Sequence, residues 1–222
     1  MIYPINKEIG MTINKKNIQT LQNIVSRKGS SKVLTFSIPH IFKALQLLSE
    51  EKFVSRATFG KEIHLGEGAV KTLISHLKEA KMIKSTRSGN FLTDKGKKLT
   101  SELQKIIPNE CKIEKNSLTP SKNNHAIILK KYSSVIKTGL EQRDYAIMYG
   151  SSGCTTLAFK NNRFVFPGED KDCLSKNKKI KKTLLEKLDP SEGDIVIISS
   201  SDDSFVAEIS AKNSALWTIA TN

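Results

Sequence analysis

Residues 67–96 read EGAVKTLISHLKEAKMIKSTRSGNFLTDKG, and this stretch decides the fold of the N-terminal half. Its first part has apolar residues at helical spacing, which predicts an amphipathic helix from Glu67 to about Lys81. The inward stripe of that helix consists of Val70, Leu73, Ile74, Leu77 and Ala80. Two short β-runs, Met82–Thr86 and Phe91–Leu92, then flank a predicted turn over Arg87–Asn90. The stretch therefore predicts a helix followed by a β-hairpin.

Three further helices are predicted around it. The first covers Ser37–Glu50, where the serine caps the helix and Pro39 stands in the first turn. A shorter one covers Ser55–Leu65, and a last one, capped by a threonine, covers Asp94–Ile107. Helix, helix, helix, hairpin, helix is the order of a winged helix-turn-helix. This pattern predicts such a domain over residues 32–108.

The rest of the chain is organised differently. Residues 1–31 are a polar N-terminal extension, in which we expect at most a short helix over Asn17–Val25 and to which we assign no function. Residues 109–124 are polar and are interpreted as a linker. Residues 125–222 alternate short strands with helices and predict a small mixed α/β domain. The predicted fold class is α+β, with two domains.

The second domain is expected to contain four strands and three helices. One strand, Asp194–Ser199, is fully apolar, as in a buried sheet. Asn161-Asn162 predicts a two-residue hairpin turn. The other expected strands are His125–Lys130, Thr155–Lys160 and Arg163–Pro167. The expected helices are Leu140–Tyr149, the basic Asn177–Leu188, and Ser204–Thr221.

Positive charge is concentrated in the first half. The chain carries 36 basic and 22 acidic residues, a net charge of +14. Residues 1–120 have 21 basic and 10 acidic residues (+11), while residues 121–222 have 15 and 12 (+3). This asymmetry indicates that the N-terminal half contacts a polyanion.

The helix from Glu67 is the candidate for DNA recognition. The major groove admits one helix, and short polar side chains near its start contact base edges. Glu67 itself can accept from a cytosine amino group, and the hairpin turn suits a narrow, negative groove. The candidate DNA-binding residues are Glu67, Lys71, Thr72, Ser75, His76, Lys78, Lys84 and Arg87. Two alternatives stay open: a plain solvent-exposed helix face, and a winged helix used for protein docking.

Two motifs carry a resemblance to a known family. Residues 66–73, GEGAVKTL, followed by Leu92-Thr93-Asp94-Lys95-Gly96, resemble archaeal winged-helix transcriptional regulators. Residues 139–147, GLEQRDYAI, and Gly193–Ile198 resemble archaeal proteins that pair this winged helix with a C-terminal domain of unknown function. The resemblance covers about residues 36–222. It implies a transcriptional regulator but no ligand or catalytic residue.

The second domain offers three pairs of candidate ligand-binding residues, each with a plainer structural alternative. Arg143 and Asp144 can hold a charged ligand or pair with each other. Thr155 and Thr156 follow a small, hydroxyl-rich segment that can cradle an anion or form a turn. Asp202 and Asp203 follow a buried strand and can bind a ligand or cap the next helix. His125 is the one histidine available there for acid–base chemistry.

Several classes are disfavoured. Apolar runs are at most four residues, the N-terminus lacks the apolar core of a secretion signal, and we expect a cytoplasmic protein. Cys111, Cys154 and Cys173 lack metal-ligand spacing, so they are interpreted as core residues, and no metal or cofactor is expected.

The sequence therefore predicts a transcriptional regulator that binds double-stranded DNA, most simply as a homodimer. Its C-terminal domain senses a small-molecule effector or mediates self-association. The alternative is an enzyme with a small catalytic domain and an accessory winged helix.

Overall fold

The computed structural model describes residues 3–26 and 33–222, with side chains from residue 10 onward. These residues form eight helices and two antiparallel sheets, which confirms the predicted α+β class. The chain divides into two compact units between Leu103 and Gln104. Among the described residues, every helix is too short or too polar to cross a lipid bilayer.

The N-terminal unit has the predicted order of elements. Its helices are α1 (Tyr3–Ile24), α2 (Ile38–Glu50), α3 (Arg56–Ile63), α4 (Glu67–Glu79) and α5 (Asp94–Ile106), and its hairpin strands are β1 (Ile83–Thr86) and β2 (Gly89–Leu92). Val70, Leu73, Ile74 and Leu77 of α4 are buried as predicted. Ala80 is only half-buried, because α4 ends one residue before it.

The first helix is much longer than the sequence indicated. We expected a short helix over Asn17–Val25, whereas α1 covers Tyr3–Ile24. Ile18, Leu21 and Ile24 are buried, and the helix packs against α2. The N-terminal extension is therefore partly a core element of this unit. Its stretch 27–32 lies outside the described residues.

Local capping sets where α2 and α3 begin. The backbone N–H of Ser37 donates to Nδ1 of His40 at 3.2 Å, as in a capping box. Burial and the nearby Lys43 lower the pKa of His40 to about 4, which keeps Nδ1 free to accept at neutral pH. At α3, the Ser55 hydroxyl accepts from the Thr58 N–H at 3.0 Å.

The hairpin turn is tighter than predicted. Arg87 and Ser88 alone form the turn, whereas Gly89 and Asn90, which we had placed in it, belong to β2. The reason is the pairing with β1, which sets Gly89 opposite Thr86 and Asn90 opposite Ser85. Val54 adds two backbone hydrogen bonds of 2.9 Å to Asn90.

The C-terminal unit is built on one antiparallel sheet of order β3-β4-β7-β5-β6. The strands are β3 (Glu110–Ile113), β4 (Asn123–Leu129), β5 (Gly153–Lys160), β6 (Arg163–Val165) and β7 (Ile195–Ser201), and the helices are α6 (Leu140–Ile147), α7 (Lys178–Leu188) and α8 (Ser204–Thr221). Asn161 and Asn162 both have positive φ, as the predicted hairpin turn requires. The predicted mixed α/β domain is thus an antiparallel sheet with helices.

The predicted linker was wrong for its first part. Glu110–Ile113 form β3, which pairs with β4 in a register that sets Glu110 opposite Ile127. This tetrapeptide is a strand here because β4 supplies its backbone partners and because Cys111 and Ile113 pack against the apolar core. The strand β7 continues beyond its predicted end at Ser199, so Ser199, Ser200 and Ser201 all belong to it and are buried.

The two faces of this sheet differ in polarity. One face, covered by α7, is an apolar core that includes Ile128, Val196 and Leu157. The other face is covered by α8 and α6 and carries buried polar residues, among them His125 and Ser199.

Candidate nucleic-acid interface

The exposed face of α4 begins with an ion pair. Lys71 Nζ lies 2.8 Å from Glu67 Oε1, one helical turn away, and both side chains are exposed. The hydrogen bond and charge of Lys71 lower the pKa of Glu67, and the charge of Arg56 contributes to the same shift. Arg56 stands at the start of α3 and was missed in the sequence analysis. Because it does not belong to the α4 pattern, only the fold could bring it near.

Two hydroxyls follow on the same helix. Thr72 Oγ1 donates to the Gly68 carbonyl at 3.0 Å, and Ser75 Oγ donates to Glu79 Oε1 at 3.2 Å. Each hydroxyl has its proton engaged within the helix and keeps lone pairs for accepting. Ser75 and Lys78 are exposed, whereas Thr72 is half-buried.

His76 connects α4 to α1. Its Nδ1 donates to the carbonyl of Ile24 at 2.6 Å, and its ring meets Phe36 edge-on with centroids 5.7 Å apart. The ring is half-buried. Because Nδ1 is engaged, only the Nε2 edge of the ring is left for a contact with a DNA base. The DNA-binding role of His76 stays a prediction, and the residue also has a structural role through its contact with Ile24.

The hairpin presents its basic side chains to solvent. Lys84 on β1 and Arg87 in the turn are both exposed. Asn90 fixes the hairpin from below: its Nδ2 donates to the Val54 carbonyl at 2.9 Å, and its Oδ1 accepts from Ser85 Oγ at 2.6 Å. Gly89 has φ +133°, and a Cβ there would lie 3.0 Å from the Val54 carbonyl oxygen.

The Leu-Thr-x-Lys-Gly motif after the hairpin has a structural explanation. Thr93 Oγ1 accepts from the Gly96 N–H at 3.1 Å and so caps α5. Lys95 Nζ donates to the carbonyl of Ala80 at 2.9 Å, at the end of α4. A Cβ on Gly96 would lie 2.2 Å from the Met82 carbonyl oxygen, so only glycine fits. These contacts fix α5 against the end of α4 and the start of the hairpin.

An aromatic pair beside the hairpin was also missed. Phe53 and Phe91 meet edge-to-face at 5.8 Å, and Lys52 Nζ lies 5.7 Å from the Phe53 ring centroid. Phe91 and Lys84 are cross-strand partners, so the pair lies on the same side of the hairpin as Lys84.

The six candidate ligand contacts of the C-terminal unit do not share one site. Thr155 and Thr156 are consecutive in β5 and face opposite sides of the sheet. Thr155 Oγ1 donates to the Leu118 carbonyl at 2.8 Å. Thr156 is buried against Gly139: a Cβ added to Gly139 would lie 2.9 Å from the Cβ of Thr156. The Thr156 hydroxyl has no hydrogen-bond partner among the described residues.

The charged candidates have local partners. Arg143 and Asp144 pair with each other at 3.2 Å on the exposed side of α6. Asp203 caps α8, because its Oδ1 accepts from the N–H groups of Phe205 at 2.7 Å and Val206 at 3.0 Å. Asp202 is exposed. The geometry of Arg143 and Asp144 is thus that of an ion pair, and the geometry of Asp203 is that of a helix cap.

A buried charged cluster was not predicted at all. Lys212 on α8 is fully buried, and its Nζ pairs with Glu110 Oε1 and lies 3.4 Å from Glu208 Oε1. Glu110 Oε2 lies 3.2 Å from His125 Nε2. Burial opposes ionisation of Glu110, but the charge of Lys212 and the hydrogen bond from His125 outweigh it and hold the pKa well below its usual range.

This cluster bears on the enzyme alternative. His125 is buried beneath α8, and its Nδ1 has no hydrogen-bond partner among the described residues. A general base must reach its substrate, so a buried, carboxylate-bound imidazole favours a structural role. A Glu–Lys pair four residues apart in an otherwise uncharged helix was the one signal that pointed to the cluster.

The cysteines are free and half-buried. Burial raises the pKa of Cys154 to about 12 and those of Cys111 and Cys173 to about 11. Thiols with such pKa values are protonated and unreactive at neutral pH. Within the described part of the chain, no group of three or more His, Cys, Asp or Glu residues is arranged to hold a metal ion.

The comparisons with known proteins match this two-part architecture. Residues 40–98 match the PH0730-like N-terminal domain. Residues 120–219 match a domain of unknown function, DUF4443. A solved structure, "Hypothetical protein PH0730 from Pyrococcus horikoshii OT3", is similar over 81% of this chain and 91% of that chain. The two are 25% identical, with a TM-score of 0.66. No curated protein matches the chain significantly.

These matches confirm the coarser part of the resemblance drawn from the sequence. The chain is similar to an archaeal protein and contains a C-terminal domain of unknown function. The regulatory role that the resemblance implied belongs to the proposal that follows.

Proposed function

We propose that this protein is a sequence-specific transcriptional regulator that binds duplex DNA through its N-terminal unit. The observation that carries the proposal is the exposed polar face of α4 beside a hairpin with basic side chains. A helix whose first turns present short polar groups fits the major groove. The hairpin extends the contact to the phosphate backbone or the minor groove.

The side chains divide into two roles. Lys78, Lys84 and Arg87 are exposed cations suited to phosphates, which position the protein without reading sequence. Ser75 and Thr72 keep acceptor lone pairs, and Glu67 is a carboxylate acceptor. Acceptors on a recognition helix select the exocyclic amino groups of adenine or cytosine. Lys71 leaves Glu67 for a phosphate or a guanine once DNA is bound.

The charge distribution supports the same proposal. The +11 of residues 1–120 attracts a polyanion, whereas the second half is nearly balanced. The C-terminal unit would then supply self-association or effector sensing rather than DNA contacts.

Fluorescence anisotropy with duplex DNA between about 50 and 200 mM salt tests the proposal. The wild type is expected to bind with a steep salt dependence. Lys71→Ala/Arg87→Ala is expected to weaken binding at least about tenfold and to reduce the slope of log K against log salt by about two. Lys97→Ala/Lys98→Ala on α5 is the matched control, because it removes the same charge away from α4 and the hairpin.

Two results would overturn the proposal. One is an absence of binding by the wild type at 50 mM salt, which would favour a winged helix used for protein docking. The other is an equal loss of affinity in both double variants, which would indicate nonspecific attraction by net charge. Selection from a random-sequence duplex pool then tests specificity, with enriched adenine or cytosine expected at the positions that α4 contacts.

A further inference from the structure

The outward face of α6 exposes large apolar side chains beside the charged Glu141, Arg143 and Asp144. Leu140 is 52% exposed, Ile147 is 49% exposed, and Met148, directly after the helix, is 69% exposed. At about 100° per residue, Leu140 and Ile147 lie within about 20° of each other around the helix. The side of α6 that faces the sheet and α8 instead buries the polar Gln142, whose Nε2 donates to Thr218 Oγ1 at 3.1 Å. The helix thus shows a line of large apolar side chains to solvent, which is uncommon in a monomer.

The apolar surface continues from α6 onto α8. Tyr145 stacks on Trp217 with ring centroids 6.1 Å apart, and both rings are half-buried. Val206 at the start of α8 is half-buried beside Gly150. A Cβ added to Gly150 would lie 3.5 Å from a methyl group of Val206. We call the surface formed by α6, Met148, Trp217 and Val206 the α6–α8 face.

Charge singles out this face as a place where two copies can meet. On α8 the charged residues are Glu208 and Lys212, and both are directed into the buried cluster with Glu110. By contrast, α7 carries five lysines. Two copies of a chain with net charge +14 repel each other. They approach at less cost through this face, where the exposed charges of Glu141, Arg143 and Asp144 sum to −1 in each copy, than through a lysine-rich surface such as that of α7.

Two of the three charges on α6, those of Arg143 and Asp144, complement themselves, whereas Glu141 lies about 100° around the helix from Leu140. Arg143 and Asp144 flank the line from Leu140 to Ile147 on opposite sides. A two-fold axis running along that line sets Arg143 of one copy opposite Asp144 of the other, and the reverse, while like apolar residues meet on the axis. Such reciprocal contacts are what an isologous interface requires. The two pairs formed within the separate copies exchange for two pairs between the copies.

We propose that the α6–α8 face is a homodimer interface, centred on Leu140 and Ile147 and specified by reciprocal Arg143–Asp144 pairs. The partner is a second copy of this chain. This inference deepens the proposed function and rests on it, because dimerisation would let two DNA-binding units related by a two-fold axis bind a palindromic site. The interface itself involves only residues of the C-terminal unit.

Charge reversal tests the interface without DNA. Sedimentation equilibrium on the full chain is expected to give a dimer for the wild type. Arg143→Glu makes both reciprocal positions acidic and Asp144→Arg makes both basic, so each variant alone is expected to dimerise at least about tenfold more weakly. An equimolar mixture of the two restores both pairs and is expected to dimerise about as well as the wild type. Arg163→Glu on β6 is the control, since it makes the same change at an exposed site off the face.

The outcomes separate the two proposals. A monomeric wild type at about 100 μM, or a mixture no stronger than either variant, would overturn the interface. Restored association in the mixture supports it and also shows that both variants are folded. Dimerisation that follows this pattern in a protein that binds no DNA would refute only the proposed function. DNA binding by a monomeric wild type would refute only the interface.

Discussion

Replacing Glu110 with glutamine removes the carboxylate that neutralises a fully buried lysine. Lys212 is completely buried, and after the change Glu208, at 3.4 Å, still carries a compensating charge. Removing one partner of a buried ion pair costs about 3–5 kcal/mol. We expect the lower end, about 3 kcal/mol, because Glu208 remains and the Glu110 side chain is itself 22% exposed. For a unit of this size that corresponds to a fall in Tm of about 12 °C.

The chain supplies its own probe for this measurement. Trp217, the only tryptophan, lies on α8, so thermal unfolding followed by its fluorescence reports on the unit that contains the cluster. Glu186→Gln on α7 is the matched control. Its pair with Lys182 is 3.7 Å long with both side chains exposed, so its loss is expected to change the free energy of unfolding by less than about 0.5 kcal/mol.

A second variant tests the cause. Lys212→Met in the Glu110→Gln background removes the uncompensated charge, and we expect stability within about 1 kcal/mol of the wild type. The reasoning would be refuted if Glu110→Gln lowered the Tm by less than about 4 °C, or if adding Lys212→Met gave no recovery. Either result would mean that the lysine is solvated in solution.

The same carboxylate predicts a dependence on pH. Because the pKa of Glu110 is lowered from 4.5 on folding, the folded state binds its proton less readily than the unfolded chain. The contribution to stability is therefore complete above about pH 5 and falls as the pH drops through the acid range. Glu110→Gln is expected to lack that part of the acid destabilisation.

Four further substitutions, in two matched pairs, have defined outcomes. Gly96→Ala is expected to destabilise the N-terminal unit by about 3 kcal/mol in urea unfolding followed by circular dichroism, since a Cβ would lie 2.2 Å from the Met82 carbonyl oxygen. Gly68→Ala, with nothing within 4 Å of the new Cβ, is expected to stabilise the same unit by up to about 1 kcal/mol; equal effects of the two changes would contradict the packing at Gly96. Asp203→Ala is expected to cost about 1 kcal/mol by Trp217-detected unfolding, because it removes the acceptor for two N–H groups of α8, whereas Asp202→Ala is expected to cost less than about 0.5 kcal/mol. A loss at Asp202 as large as at Asp203 would argue against the cap.

Much of the candidate interface could be predicted because it depends on one helix. The inward stripe of α4 and its opposite face are fixed by a 3.6-residue period, which operates within a dozen residues. His76 is the exception: its spacing placed it on the outward face, but its contacts to Ile24 and Phe36 come from distant segments. Arg56 and the Phe53–Phe91 pair were missed for the same reason, since they become neighbours of the site only through folding.

In the C-terminal unit, the difference between local and distant signals is clearer. The turn at Asn161-Asn162 and the bounds of α8 were correct, because left-handed turn residues and helical periodicity act locally. The strand at Glu110–Ile113 was not, because four residues inside a polar stretch carry too short a pattern to indicate a strand without a neighbouring strand. Nor could spacing show that the Thr155 hydroxyl would donate to the Leu118 carbonyl while the Thr156 hydroxyl finds no hydrogen-bond partner among the described residues.

The sequence by itself determined the α+β class, the order of helices and hairpin in the N-terminal unit, and which face of α4 is exposed. Periodicity, caps and turn residues are properties of short segments and need no partner to be expressed. The tertiary structure alone decided the pairing of β3, the burial of Lys212 against Glu110, and the apolar α6–α8 face. Each of these depends on which distant segments meet, because burial and pairing, rather than residue type, set the free energy of a charge or a strand edge.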